Sequence, residues 1–198
     1  EPAQALTDGR EAVAGFISDL PFTLTAAQER VIDELLVDMA QPHPMMRLIQ
    51  GDVGSGKTVV AAIACLNAIA SGVQAAIMAP TELLAEQHWH SFKAWFEPLA
   101  IECAWLSGSQ RAAARRESLA GIASGKAQLV VGTHALFQEG VEFHNLALVV
   151  IDEQHRFGVH QRMALRDKGV SEHGYPHQLV MTATPIPRTL AMAAYADL

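Results

Sequence analysis

The fold of this chain is decided by the stretch Gly51-Asp52-Val53-Gly54-Ser55-Gly56-Lys57-Thr58. A short apolar run from Met46 precedes it and an apolar helical pattern from Val59 follows, which is the order strand, glycine-rich loop, helix. Glycines allow such a loop to curl until consecutive backbone N–H groups converge on phosphate oxygens, so the whole stretch is a candidate nucleotide-binding loop. The following helix directs the positive end of its dipole at the same charge. In this pattern Lys57 reaches the β- and γ-phosphates, and the hydroxyl of Thr58 binds Mg²⁺. The plain alternative is a glycine-rich turn that only joins a strand to a helix.

The composition indicates a folded globular protein. Of the 198 residues, 50% are hydrophobic and 18% are charged, which allows a substantial core. No apolar run approaches the length of a membrane span, and the first residues lack the basic start and apolar centre of a signal peptide. We expect a soluble, intracellular protein with no membrane partner. The net charge of −7 argues against a surface that wraps nucleic acid as a whole, so any DNA contact should be local or supplemented by other parts of a protein.

The cysteines and histidines do not form a metal-binding pattern. Cys65 falls in a predicted helix and Cys103 in a predicted strand, and neither has a second ligand at metal-binding spacing, so both are predicted to be core thiols. His88 and His90 lie two positions apart on a predicted helix and therefore do not share a face. We do not expect a histidine metal site.

Apolar runs alternate with helical patterns along most of the chain. The predicted strands are Met46–Gln50, Gln74–Ala79, Ile101–Leu106, Gln128–Gly132, Ala147–Ile151 and Gln178–Met181. Strands that are apolar throughout and alternate with helices predict an α/β fold, with a mostly parallel sheet covered by helices on both faces. Polar residues follow several of these strands, and open α/β sheets bind their ligands at that edge.

Gln28 has two possible roles. Thr25 and Gln28 have the spacing of a capping box, in which the glutamine side chain reaches back to the start of its helix. A glutamine amide upstream of a phosphate loop can also recognise adenine, because its carbonyl and NH₂ groups match N6 and N7 of the base. The local sequence does not separate these roles.

Two further clusters carry candidate chemistry. Asp152 ends an apolar strand, where it can hold the hydration shell of Mg²⁺, and Glu153 can orient or deprotonate the attacking water. Gln154 and His155 can sense the γ-phosphate and pass its loss to Thr182-Ala183-Thr184. The alternatives are an acidic turn for the first pair and ordinary loop polarity for the others.

Candidate DNA contacts follow other strands of the predicted sheet. Thr81, Gly132 and Thr133 lie at such strand ends, where hydroxyl and backbone N–H groups can bind a sugar-phosphate backbone without positive charge. Helix capping is the alternative, particularly for Thr81.

These motifs together resemble those of superfamily 2 helicases. Motif I corresponds to Gly51–Thr58, motif Ia to Ala79–Leu84, motif Ib to Val131–His134, a DExH motif II to Asp152–His155 and motif III to Thr182–Thr184.

Three segments are typical of a narrower group within this superfamily: Asp152–Val159, Thr182–Thr189 and Ala191–Leu198. They are similar to the first motor lobe of a bacterial branch of this superfamily that remodels branched double-stranded DNA.

The resemblance implies a RecA-like P-loop NTPase lobe over residues 21–198 that binds ATP and Mg²⁺. In such a helicase, ATP hydrolysis drives the remodelling of stalled replication forks and recombination intermediates, in DNA repair in the bacterial cytoplasm and nucleoid. Residues 1–20 would connect the lobe to an upstream DNA-binding wedge domain, which this chain lacks together with the second motor lobe. Phe22 and Gln28 would lie at the adenine. The lobe alone should bind nucleotide with little turnover, because hydrolysis needs charge stabilisation from the far side of the nucleotide.

Three other readings stay open. The lobe could belong to the related transcription-repair coupling factor, although that family is expected to have Glu where this chain has Gln154. The chain could be a non-catalytic nucleotide-binding module. It could also be a small-molecule kinase, although a kinase does not need the DExH box or the Thr-Ala-Thr run.

Overall fold

The computed structural model describes residues 1–51, 56–153 and 167–183, together with the backbone of residues 195–197. The helices in these ranges are α1 (Arg10–Asp19), α2 (Ala26–Met39), α3 (Lys57–Ala70), α4 (Glu82–Phe96) and α5 (Ala112–Ser124). Short 3-10 helices cover Glu97–Leu99 and His134–Phe137. The strands are β1 (Met46–Gln50), β2 (Gln74–Met78), β3 (Cys103–Leu106), β4 (Leu129–Gly132), β5 (Leu146–Asp152), β6 (His177–Thr182) and β7 (Tyr195–Asp197).

The described strands form one open sheet in the order β3-β4-β2-β5-β6-β1-β7. Every pair of neighbouring strands is parallel. Every residue of β2, β4, β5 and β6 is buried, as expected for strands that have helices on both sides. The prediction of an α/β fold with a mostly parallel sheet is confirmed.

The two faces of the sheet pack against different helices. Along β5, Leu148 and Val150 join a hydrophobic cluster that contains residues of α1, α2, α3 and α4. Val149 and Ile151 join a second cluster, which contains Ile122 of α5. Alternate residues of a strand point to opposite faces, so the two clusters lie on opposite sides of the sheet. The prediction of helices on both faces is confirmed.

The first twenty residues pack on this framework. Helix α1 lies against α3 and buries Val13 and Phe16. The ring of Phe16 meets the ring of Trp95 edge-on, with centroids 6.1 Å apart. Gln4 precedes α1 in the chain, and its carbonyl oxygen lies 2.8 Å from Nε2 of the buried His177. The weak helical pattern at the start of the chain therefore becomes a helix whose apolar side is covered by α3 and α4.

Both cysteines are free thiols. Cys65 is buried in α3, as expected of a core thiol, and burial raises its pKa well above the ordinary value. Cys103 is half-buried, and burial raises its pKa to about 11. Over the described ranges, no three His, Cys, Asp or Glu side chains are grouped as metal ligands, and no helix is long and apolar enough to cross a bilayer.

Candidate nucleotide-binding site

The site is built at the carboxyl edge of three neighbouring strands, β1, β6 and β5. The backbone N–H of Gly51, just after β1, donates to the carbonyl oxygen of Thr182 at 3.1 Å. The N–H of Glu153, just after β5, donates to the carbonyl oxygen of Met181 at 2.8 Å. Two strand spacings separate β1 from β5, which is about 10 Å. The structure therefore places the start of the glycine-rich loop and the acidic pair at one edge, about one hundred residues apart in the chain.

The described part of the loop has the geometry that an anion site requires. Asp52, Val53, Gly54 and Ser55 lie outside the described residues. Gly56 has φ 84°, a left-handed conformation that favours glycine, and α3 begins at the next residue. The ammonium group of Lys57 donates to the carbonyl oxygen of Gly51. The cation and the amino end of α3 thus lie beside the start of the loop.

Gln28 connects the capping box to this loop. Its Oε1 accepts a hydrogen bond from the N–H of Thr25 at 2.9 Å, and its own N–H donates to Oγ1 of Thr25 at 3.1 Å. The capping box is therefore present. The amide also touches the loop, because a Cβ on Gly56 would lie only 1.9 Å from Nε2 of Gln28. The two roles left open by the sequence are compatible in one side chain. Phe22, the other residue expected at the adenine, is 48% exposed.

Asp152 is the last residue of β5, and its carboxylate is held by a histidine from α4. Its Oδ2 lies 2.6 Å from Nε2 of His88, and the two residues are 5% and 7% exposed. From the sequence, His88 was weighed only as a metal ligand, and its contact with Asp152 was not predicted. The signal was present, because Leu84, His88 and Phe92 recur every four residues on one side of the helix.

The other residues expected near the γ-phosphate are described in part. Glu153 is half-buried and follows Asp152 directly. Thr182 is buried at the end of β6, and Ala183 is half-buried. Gln154, His155 and Thr184 lie outside the described residues.

The candidate DNA-contact residues lie side by side but differ in exposure. Thr81 follows β2 and Gly132 ends β4, and these two strands are neighbours. Thr81 is exposed and caps α4, because its hydroxyl accepts the N–H of Leu84 at 3.2 Å. Gly132 is buried against β3, and Thr133 is only 3% exposed and accepts the N–H of Ala135. Of the three residues, only Thr81 is at the surface.

The donors at this edge fit a triphosphate with a divalent cation. Lys57 and the amino end of α3 supply positive charge, and the left-handed Gly56 lets the backbone approach closely. Asp152 supplies a carboxylate and Thr58 a half-buried hydroxyl, which are oxygen ligands of the kind that Mg²⁺ prefers. The half-buried Lys57 and Thr58 leave this edge accessible to a ligand.

Comparisons with known proteins agree with this geometry. The family described as DEAD/DEAH box helicase matches residues 25–193. The ATP-dependent DNA helicase RecG of Escherichia coli O157:H7 is 62% identical over 99% of this chain and 28% of its own length. That of Pasteurella multocida (strain Pm70) is 63% identical over 92% of this chain and 26% of its own. The solved structure of RecG bound to a three-way DNA junction superposes with a TM-score of 0.84 at 41% identity, over 97% of this chain and 25% of that chain.

The chain thus spans about a quarter of the length of these relatives. The resemblance of the motifs to those of a bacterial group of helicases is confirmed by the similarity to RecG. The match over residues 25–193 covers most of the chain, including both the glycine-rich loop and the acidic pair. The chain therefore belongs to the DEAD/DEAH box helicase family.

Proposed function

We propose that this chain is the first motor lobe of an ATP-dependent DNA helicase that couples ATP hydrolysis to the remodelling of branched double-stranded DNA. One observation carries the proposal: the start of the phosphate loop and the Asp152–Glu153 pair lie at one sheet edge, both hydrogen-bonded to β6. The relatives support the choice of substrate, since they are named DNA helicases and one was solved on a three-way DNA junction.

In this proposal each residue of the site has one role in binding or hydrolysing the nucleotide. The ammonium group of Lys57 exchanges the Gly51 carbonyl for a phosphate oxygen, and the loop and the amino end of α3 hold the phosphates. Thr58 and Asp152 would hold Mg²⁺, which would supply charge neutralisation at the phosphates. Glu153 orients the attacking water and accepts its proton. Gln28 and Phe22 recognise the adenine.

The same proposal gives β6 the task of coupling. The backbone at its end accepts hydrogen bonds from Gly51 and from Glu153, so a change in either part of the site alters the hydrogen bonding of this strand. Thr182–Thr184 would pass that change on, with Gln154 and His155 sensing the γ-phosphate. The edge formed by Thr81, Gly132 and Thr133 would meet the DNA backbone through the exposed side chain of Thr81. Gly132 and Thr133 would shape this edge from beneath, because the carbonyl of Gly132 accepts the N–H of Ala79 and the N–H of Thr133 donates to the carbonyl of Leu106.

We assign residues 21–198 to the motor lobe and residues 1–20 to a connector toward an upstream DNA-binding domain. A second motor lobe would supply the charge stabilisation on the far side of the nucleotide. The isolated chain should then bind nucleotide with little turnover. That the relatives are bacterial supports a cytoplasmic location, and work at the nucleoid is part of the proposal.

The test is the ATPase rate of a full-length protein that contains this lobe, measured at fixed salt with a three-way junction, a linear duplex and no DNA. We expect the junction to stimulate most. Lys57→Ala and Glu153→Gln should each lower the stimulated rate at least about 100-fold. Lys126→Ala and Glu139→Gln are matched controls at exposed positions and should leave it unchanged. A rate indifferent to DNA, or unaffected by Lys57→Ala, would refute the proposal.

A second experiment concerns the 198-residue chain itself. Calorimetry with a nonhydrolysable ATP analogue should show binding that Lys57→Ala removes, and a turnover assay should show little hydrolysis. Steady turnover by this chain would refute the requirement for a second lobe. Phosphate transfer to a small metabolite would favour the kinase reading instead.

A further inference from the structure

The contact between His88 and Asp152 is the part of the site that the proposed chemistry does not yet use. The Nε2 to Oδ2 distance is 2.6 Å and both residues are nearly buried. The imidazole also packs against Phe92, whose ring it meets edge-on with centroids 6.2 Å apart and planes at 68°. The histidine is therefore held both by packing and by a carboxylate.

The course of the chain explains why these two side chains meet. Alternate residues of a strand lie on the same face of the sheet. Asp152 therefore shares a face with Leu148 and Val150, which is the face that α4 covers. Helix α4 starts just after β2, the neighbour of β5, and is anchored to that face by Ala85, Phe92 and Phe96. His88 has helical spacing with these anchors and is therefore directed at the end of β5.

From this geometry we propose that His88 is a positioning residue for the Mg²⁺-binding carboxylate of Asp152. The inference rests on the proposed function of the site. An N–H donated by Nε2 fixes Oδ2 and so fixes the orientation of the whole carboxylate. The other oxygen of Asp152 is then presented to the hydration shell of the metal. Hydrogen bonds that orient a ligating group typically change metal affinity or activity 10- to 100-fold when they are removed.

The arrangement also ties the metal site to the candidate DNA edge. Thr81 caps the amino end of α4, and His88 lies two turns further along the same helix. One side of α4 is packed into the core through Ala85, Phe92 and Phe96, and a helix packed in this way moves as a rigid element, because packed side chains do not deform continuously. DNA bound at Thr81 would therefore act on Asp152 through a single helix. Asp152 is buried on the same face, so its carboxylate depends on this donor to offset the cost of burial.

The experiment compares His88→Leu with His88→Gln in the full-length protein. Both replacements fill space beside Phe92, but only glutamine carries an N–H near the position of Nε2. The matched control is His90→Ala, because His90 is exposed on the same helix. Two quantities are measured as Mg²⁺ is titrated: binding of a fluorescent ADP analogue and the DNA-stimulated ATPase rate. Thermal unfolding without nucleotide reports folding separately.

We expect His88→Leu to raise the Mg²⁺ concentration needed for half-saturation about 10- to 100-fold in both titrations. His88→Gln should restore most of this loss, and His90→Ala should match the wild type. If the leucine variant does not fold, the glutamine variant alone decides. A Mg²⁺ concentration for half-saturation about 10-fold above that of the wild type in this variant would overturn the inference. Equal shifts in the two variants, or no shift in the leucine variant, would also overturn it. A wild type that binds nucleotide without regard to Mg²⁺ and lacks DNA stimulation would refute the proposed function itself.

Discussion

Replacing Gln28 by glutamate separates its two roles. Glutamate keeps an oxygen that can accept the N–H of Thr25, as capping boxes allow, and an acid is favourable in the first turn of a helix. It removes the NH₂ group that lies against Gly56. We therefore expect Gln28→Glu to change the free energy of unfolding by less than about 0.5 kcal/mol, whereas adenine recognition is lost.

The magnitudes follow from the hydrogen bonds that each variant loses. Loss of an adenine contact from a buried amide should cost about 1–3 kcal/mol of binding, roughly a 5- to 150-fold weaker affinity. Thr25→Ala is the complementary variant, because it removes the side-chain half of the box without touching the amide. It should destabilise the fold by about 0.5–2 kcal/mol, a decrease in Tm of about 2–4 °C per kcal/mol, and leave nucleotide affinity unchanged. Gln28→Ala should show both losses.

The assay is titration of the chain with fluorescent ADP and GDP analogues, with thermal unfolding measured in the absence of nucleotide. The ratio of the two affinities is the informative quantity. The added negative charge of glutamate repels the phosphates and so lowers the affinity for both nucleotides, whichever base they carry. The wild type should favour adenine, and Gln28→Glu should bring the ratio close to one. An unchanged ratio in the glutamate variant would refute the adenine role and leave Gln28 as a capping residue.

Three further predictions concern stability and reactivity. Burial lowers the pKa of His177 below the ordinary 6.5, so the unfolded chain binds the extra proton. Tm should be constant above about pH 7 and fall as the pH drops through 6.5 toward the folded pKa, and this slope should shrink in His177→Asn. Gly132→Ala should lower stability by about 1–3 kcal/mol, because its Cβ would lie 2.2 Å from a backbone oxygen of β3. Gly15→Ala, with open space around it, should instead raise stability by about 0.5–1 kcal/mol. Thermal or denaturant unfolding measures the stability of both glycine variants. Cys65 and Cys103 should react with a thiol-specific disulfide reagent at neutral pH only after unfolding, since burial raises both pKa values. Rapid reaction of either folded thiol would contradict this.

Features that depend on local sequence were predictable. The spacing of Thr25 and Gln28 predicted a capping box, and both of its hydrogen bonds are present. The predicted strand Met46–Gln50 has the same bounds in the structure. Each of these signals lies within one turn or one strand, where steric and capping preferences dominate.

Neighbour relations were not predictable in the same way. Apolar strands such as β4 and β5 carry no mark of which strand lies beside them, so the order β3-β4-β2-β5-β6-β1-β7 does not follow from their residues. The pairing of His88 with Asp152 was not predictable for the same reason, because it depends on which strands are neighbours. Helical spacing puts His88 in the apolar stripe of α4, but only the position of β5 beside β2 supplies the carboxylate that it meets.

The start of the chain shows that a boundary between motifs need not be a boundary in packing. Leu6 is 1% exposed, so residues ahead of position 21 contribute to the core of the lobe. His177 holds this segment through the Gln4 carbonyl and also accepts the N–H of Met45 at 2.9 Å. It is the first residue of β6, whose other end accepts the N–H of Gly51 at the phosphate loop. Strand β6 is hydrogen-bonded on both sides by β5 and β1 and is therefore stiff along its length. A domain attached ahead of this segment would thus be connected to the nucleotide site through the hydrogen bonds at the two ends of one strand.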